Sequence, residues 1–114
     1  MELLKRCHKF HLHHCGVFDR YAELYTVLNP YSIDVGAGSD YKLMRKIYPD
    51  TPTSLIINPA DIEGRSREEI DKHISNMVEN AAPFSLISFL STADFKADIS
   101  DENIRDLATV HTRI

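Results

Sequence analysis

The residues best equipped for chemistry lie together in one short run, His11-Leu12-His13-His14-Cys15-Gly16. Side chains alternate faces along a β-strand. A strand over this run turns His11, His13 and Cys15 one way, and Leu12 and His14 the other. Nitrogen and sulfur donors on one face, at the C-terminal end of a strand, suit a soft or borderline divalent metal. Gly16 lets the chain turn away directly after the last donor. Cys7 and His8 lie one strand length upstream and enrich the neighbourhood. A closed structural zinc site shows paired C-x-x-C or H-x-x-x-H spacing. The chain has two cysteines and no such pair, so the spacing fits an open site better than a closed one. The competing reading is a polar, His-rich strand end that holds nothing.

A chain of 114 residues has room for one domain, residues 1–114. Its hydrophobic content of 43% is ordinary for a globular protein. Net charge is −4 and no Lys/Arg run exceeds two residues, which argues against a nucleic-acid partner. No apolar run approaches the ~20 residues that cross a bilayer, which argues against a membrane. Met1-Glu2-Leu3-Leu4-Lys5-Arg6 lacks the apolar stretch of a secretory signal. Two cysteines set among histidines read as reduced thiols of a cytoplasmic protein, in preference to a Cys7–Cys15 disulfide.

The elements that must position the donors alternate along the chain. Residues 9–14 read as the first strand. Residues 19–28 follow as an amphipathic helix, with Tyr21, Leu24, Tyr25 and Leu28 at i, i+3, i+4 and i+7. Asn29-Pro30 ends it. Residues 31–35 form a short strand closed by Gly36-Ala37-Gly38, and Ser39 or Asp40 caps a helix carrying Tyr41, Met44 and Ile47. Residues 54–57 are a compact apolar strand ending at Asn58-Pro59. Ser66-Arg67-Glu68-Glu69 is a capping box that opens a helix with Ile70, Ile74, Met77 and Val78 on one face. Residues 84–90 read as the fourth strand. Ser100, with Asp101 and Glu102 behind it, caps a last helix through Ile104, Leu107 and Ala108.

Four βα units result. Short apolar strands favour a parallel sheet with helical crossovers. Two architectures fit: a small open α/β sheet, or half of a (β/α)8 barrel, which needs ~250 residues when whole. Both place active sites at the C-terminal ends of strands. His13, Cys15, Asp34, Asn58 and the stretch 90–94 would then cluster. Asp34 lies between Ile33 and Val35, where a charge is costly without a role or a partner, and it is the candidate catalytic carboxylate. Asp40 reads as a helix cap and Arg45 as a solvated helix residue. Gly36-Ala37-Gly38 reads as a tight strand-to-helix turn in preference to an anion cradle. Tyr21, Tyr25 and Tyr31 read as core and interface residues, His73 as solvent-facing, and His111 as a complement to the last helix dipole.

Four stretches carry a family resemblance: His13-His14-Cys15-Gly16; Asp34-Val35-Gly36-Ala37-Gly38-Ser39-Asp40; Leu55-Ile56-Ile57-Asn58-Pro59 with Arg65-Ser66-Arg67-Glu68-Glu69-Ile70; and Asp98-Ile99-Ser100-Asp101-Glu102-Asn103-Ile104. Together they resemble the C-terminal half of the uroporphyrinogen decarboxylase superfamily. That superfamily includes the zinc-dependent methyltransferases that act on methylated corrinoid cofactors. The first stretch resembles its strand-end H-x-C-G, and the others resemble the strands and helix starts that follow. The resemblance covers nearly the whole chain and about half of a family barrel.

The resemblance implies the last four βα units of a TIM barrel. It implies zinc, with His13 and Cys15 as ligands. The family's late cysteine falls near Ala93, and the decarboxylases' Gly-His-Gly histidine falls near the same place; neither is present. His11 and Asp94 are the candidates for the third ligand. The implied activity is methyl transfer between a corrinoid and a thiol, the metal holding the thiolate as nucleophile, with a corrinoid protein as partner. The decarboxylases' N-terminal substrate-binding arginines and aspartate have no counterpart, so a decarboxylase-like activity ranks behind methyl transfer. The alternatives are a fragment of such an enzyme and a non-catalytic half-barrel that serves as an assembly or binding module. A half-barrel leaves open edges and an uncovered interior. A homo-oligomer or a complementary half-barrel chain is therefore expected.

Overall fold

The computed structural model describes residues 9–92 and 95–113. Among them, four strands form one sheet: β1 (His11–His14), β2 (Ser32–Val35), β3 (Thr53–Ile57) and β4 (Ile87–Thr92). The strands are all parallel and lie in sequence order. Three helices accompany them: α1 (Tyr41–Ile47), α2 (Arg67–Asn80) and α3 (Asp101–Ala108). The architecture is mixed α/β, as the alternation of patterns predicted. No helix among the described residues is long and apolar enough to cross a membrane.

The core sits on one face of the sheet. Ile33 and Val35 of β2 and Leu55 and Ile57 of β3 pack there with Met44 of α1 and Ile70 and Ile74 of α2. All of these are at most 2% exposed. The parallel register pairs Ile33 with Thr53 and Asp34 with Ser54, so the core face and its opposite stay sorted across both strands. On β1 the alternation is milder: Leu12 and His14 are half-buried, His11 and His13 exposed.

The capping signals hold. Asp40 accepts from the Leu43 N–H at 3.0 Å, Ser66 from Glu69 at 3.2 Å and Ser100 from Asn103 at 3.1 Å. Asp101 and Glu102 lie in the first turn of α3, at its positive end.

Three expectations need correction. The amphipathic helix over 19–28 is instead two short 3-10 segments, Asp19–Tyr21 and Leu24–Leu28. No side chain caps either segment, and their bonds run three residues back, as from Thr26 N–H to Glu23 O. Burial follows Phe18, Ala22, Tyr25 and Leu28, while Tyr21 and Leu24 are exposed. The fourth strand begins three residues later than expected, because Phe84–Leu86 close a 3-10 turn through Leu86 N–H to Pro83 O. Arg45 is not solvated. It is 8% exposed, and its Nε and Nη1 donate to the carbonyls of Ala81, Tyr48 and Thr51 at 2.6–3.1 Å. Burial holds its guanidinium below the usual arginine value, against the pull of nearby Asp50.

Candidate functional site

The register of β1 on β2 builds the site. His11 lies opposite Ser32 and His13 opposite Asp34. Paired residues of neighbouring strands share a face. His11 Nδ1 accordingly lies 2.7 Å from Ser32 Oγ, and His13 Nδ1 lies 2.8 Å from Asp34 Oδ2. Cys15 follows just past the strand, and its Sγ lies 3.0 Å from His13 Nε2. A continuous chain, thiol to imidazole to carboxylate, runs through Cys15, His13 and Asp34. An ionised carboxylate can only accept, so Nδ1 is the donor in that contact. Cys15 is exposed and the Asp34 side chain is 19% exposed. Asp34 Oδ1 is buried without a hydrogen-bond partner among the described residues.

The two loops that flank the site are locked together. Gly16 takes φ +81°, a left-handed conformation that releases the chain after Cys15. A Cβ on Gly36 would overlap the backbone of Gly16, so only glycine allows the loops to approach this closely. The Phe18 N–H donates to Ser39 Oγ at 3.0 Å, Ser39 Oγ donates to Gly36 O at 2.7 Å, and the Asp40 N–H donates to Asp19 Oδ1 at 2.8 Å. Gly36-Ala37-Gly38 thus makes the tight turn that was expected of it.

Tyr41 adds a hydroxyl on β3, the strand next to that of Asp34. It sits in the first turn of α1 and reaches β3, where it accepts from the Ile56 N–H at 2.8 Å and donates to the Ile56 carbonyl at 3.2 Å. Burial pushes this phenol above its usual value; the Ile56 hydrogen bond opposes the rise and the Asp34 charge adds to it. Tyr41 therefore stays neutral and fixes the end of β3 next to the carboxylate.

Of the predicted site residues, His13, Cys15 and Asp34 come together. His11 shares their face but engages Ser32. Among the described residues no group of three His, Cys, Asp or Glu side chains converges to hold a metal. Cys7, His8, Ala93 and Asp94 lie outside the described residues. His14 takes the opposite face, with Nδ1 3.1 Å from the Tyr25 hydroxyl and its ring 5.3–5.7 Å from those of Phe18, Tyr21 and Tyr25. Asn58 caps a 3-10 turn, Pro59–Asp61, through the Ala60 N–H. His73 is half-buried, with Nε2 3.5 Å from Asp61. Tyr41 was legible only as an apolar helix position; its place in the first turn of the helix after β2 was the available signal.

The chain matches no protein-family model and no curated protein.

Proposed function

We propose that this chain is a uroporphyrinogen decarboxylase-like domain in which His13 and Cys15 hold zinc for methyl transfer between a corrinoid and a thiol. The observation that carries the reading is the pair of contacts on His13: Nε2 to Cys15 Sγ at 3.0 Å, and Nδ1 to Asp34 Oδ2 at 2.8 Å. A metal-bound histidine donates its second ring N–H to a carboxylate or carbonyl, which fixes tautomer and ring orientation. Asp34 does that here. A cysteine sulfur and an imidazole nitrogen converging at an exposed strand end are a donor set that suits zinc and leaves positions open. When bound, the metal would hold a substrate thiol as its thiolate.

Asp34 orients His13, the Gly16–Gly36 contact sets the position of Cys15, and Tyr41 holds β3 beside the carboxylate. His11 and Asp94 remain the candidates for a third ligand. Parallel strands in sequence order, with the donors at their C-terminal ends, support the half-barrel reading of the fold.

Zinc titration of metal-free protein tests the site. One equivalent is expected to bind the native chain and to be lost in Cys15→Ser and His13→Ala. In Asp34→Asn, affinity should fall about 10–100-fold, the usual effect of removing an outer carboxylate. A native chain that takes up no zinc overturns the reading.

A further inference from the structure

Large apolar side chains left in water are unevenly placed. Leu24, Val27 and Tyr31 are 65%, 81% and 56% exposed in the first βα unit, and Phe84, Leu90 and Ile104 are 74%, 36% and 44% exposed in the last. Between residues 32 and 83 no large hydrophobic side chain is exposed. The two middle units hide their apolar surface, and the two ends of the strand order do not. Phe84 and Leu90 line one groove, and exposed apolar surface gathered in this way marks a contact.

The ends differ in a way that lets one fit the other. Beside β4 lies a groove of about 570 Å³ lined by Val78, Phe84, Ile87 and Leu90, with Glu79 and His111. At the other end, the Lys9 ammonium lies 4.6 Å from the centre of the exposed Tyr31 ring. One end thus presents a concave apolar surface with a carboxylate, the other exposed apolar side chains with a cation. The sheet also has a face turned away from its core, on which His11 and His13 are exposed. Parallel sheets are as a rule covered on both faces.

We propose that a second copy of this chain occupies both ends. The groove beside β4 of one copy receives the Leu24–Val27–Tyr31 surface of the other, and Lys9 of one meets Glu79 of the other. All described strands run the same way, so a two-fold axis along them repeats the contact and leaves neither end open. Eight strands then close on themselves, with the face bearing His13 and Asp34 inside. The assembly stands independently of the zinc reading, since it rests on residues away from Cys15.

Sedimentation velocity of the full chain at micromolar concentration, without added metal, tests this. The native chain is expected to be a dimer. Val27→Glu and Phe84→Glu each place a carboxylate in the apolar contact, and each should weaken dimerisation by at least about tenfold with an unchanged circular dichroism spectrum. Lys9→Glu should weaken it too, and adding Glu79→Lys to that variant should restore it. A monomeric native chain overturns the proposal, whether a separate half-barrel or a preceding segment covers the ends in the cell. So does a dimer that survives either apolar substitution, because a contact through one patch alone leaves the other substitution silent.

Discussion

His13 stands apart among the strand's histidines, because both of its ring nitrogens are engaged by side chains. Neighbouring His11 and His14 make the contrast plain: one engages a serine hydroxyl and the other an aromatic cluster. Strand alternation predicted that His13 and Cys15 share a face, and they do. It also singled out Asp34 as a charge that needs a partner, and the partner is His13. What alternation could not reveal is Tyr41, because its hydroxyl is used by a backbone 15 residues away. Tyr41→Phe leaves the Ile56 N–H without its acceptor. We expect a loss of about 1–2 kcal/mol in urea unfolding, with the spectroscopic signature of the fold retained. Arg45 reads from the sequence as solvated, and is buried instead, for the same reason. Its acceptors lie at the end of α2 and in the turn before β3, and no periodicity along α1 announces them.

At the level of elements, capping chemistry was the dependable guide. Asp40, Ser66 and Ser100 each start the helix they were expected to start, because a cap is a local contact within three residues. The 19–28 segment shows the limit. Its apolar spacing suits a helix, yet it lacks a capping side chain and settles into 3-10 turns around Phe18, Ala22 and Tyr25. The last helix shows a second limit. Ile104 is one of its apolar positions, yet Ile104 is exposed and Asn103 is buried. Asn103 accepts from the Gly64 N–H at 2.8 Å and donates to the Arg65 carbonyl at 2.9 Å, which ties α3 to the turn before α2. Asn103→Ala strands both backbone groups. It should cost about 1–3 kcal/mol, read from the urea midpoint, with an unchanged m-value.

Over the whole molecule, the C-terminal turn is held back onto α2 by one ion pair, Arg113 to Asp71 at 2.8 Å. The hydrogen bond from Arg113, and then the charges of Arg113 and Arg67, hold the Asp71 carboxyl below its usual value. A carboxyl depressed in the folded state stabilises fully above the unfolded aspartate value, near ~3.9, and loses that contribution as pH falls through the folded value. Protection factors of the amides at residues 110–113, taken relative to unstructured chain at the same pH, should therefore fall in acid, below the ordinary aspartate range. Asp71→Asn should show the lower protection already at neutral pH, with no further drop in acid. By itself the sequence determined the alternation of strands and helices, the helix starts, the sharing of a face by His13 and Cys15, and the need of Asp34 for a partner. Each follows from local periodicity, from a cap, or from the cost of a lone charge in a strand. Only the tertiary structure decided that β1 lies on β2 in the register that joins His13 to Asp34, that Gly36 must clear Gly16, and that Arg45 and Asn103 are interior. Those depend on which distant backbone groups meet, and the chain carries no local signal of that meeting.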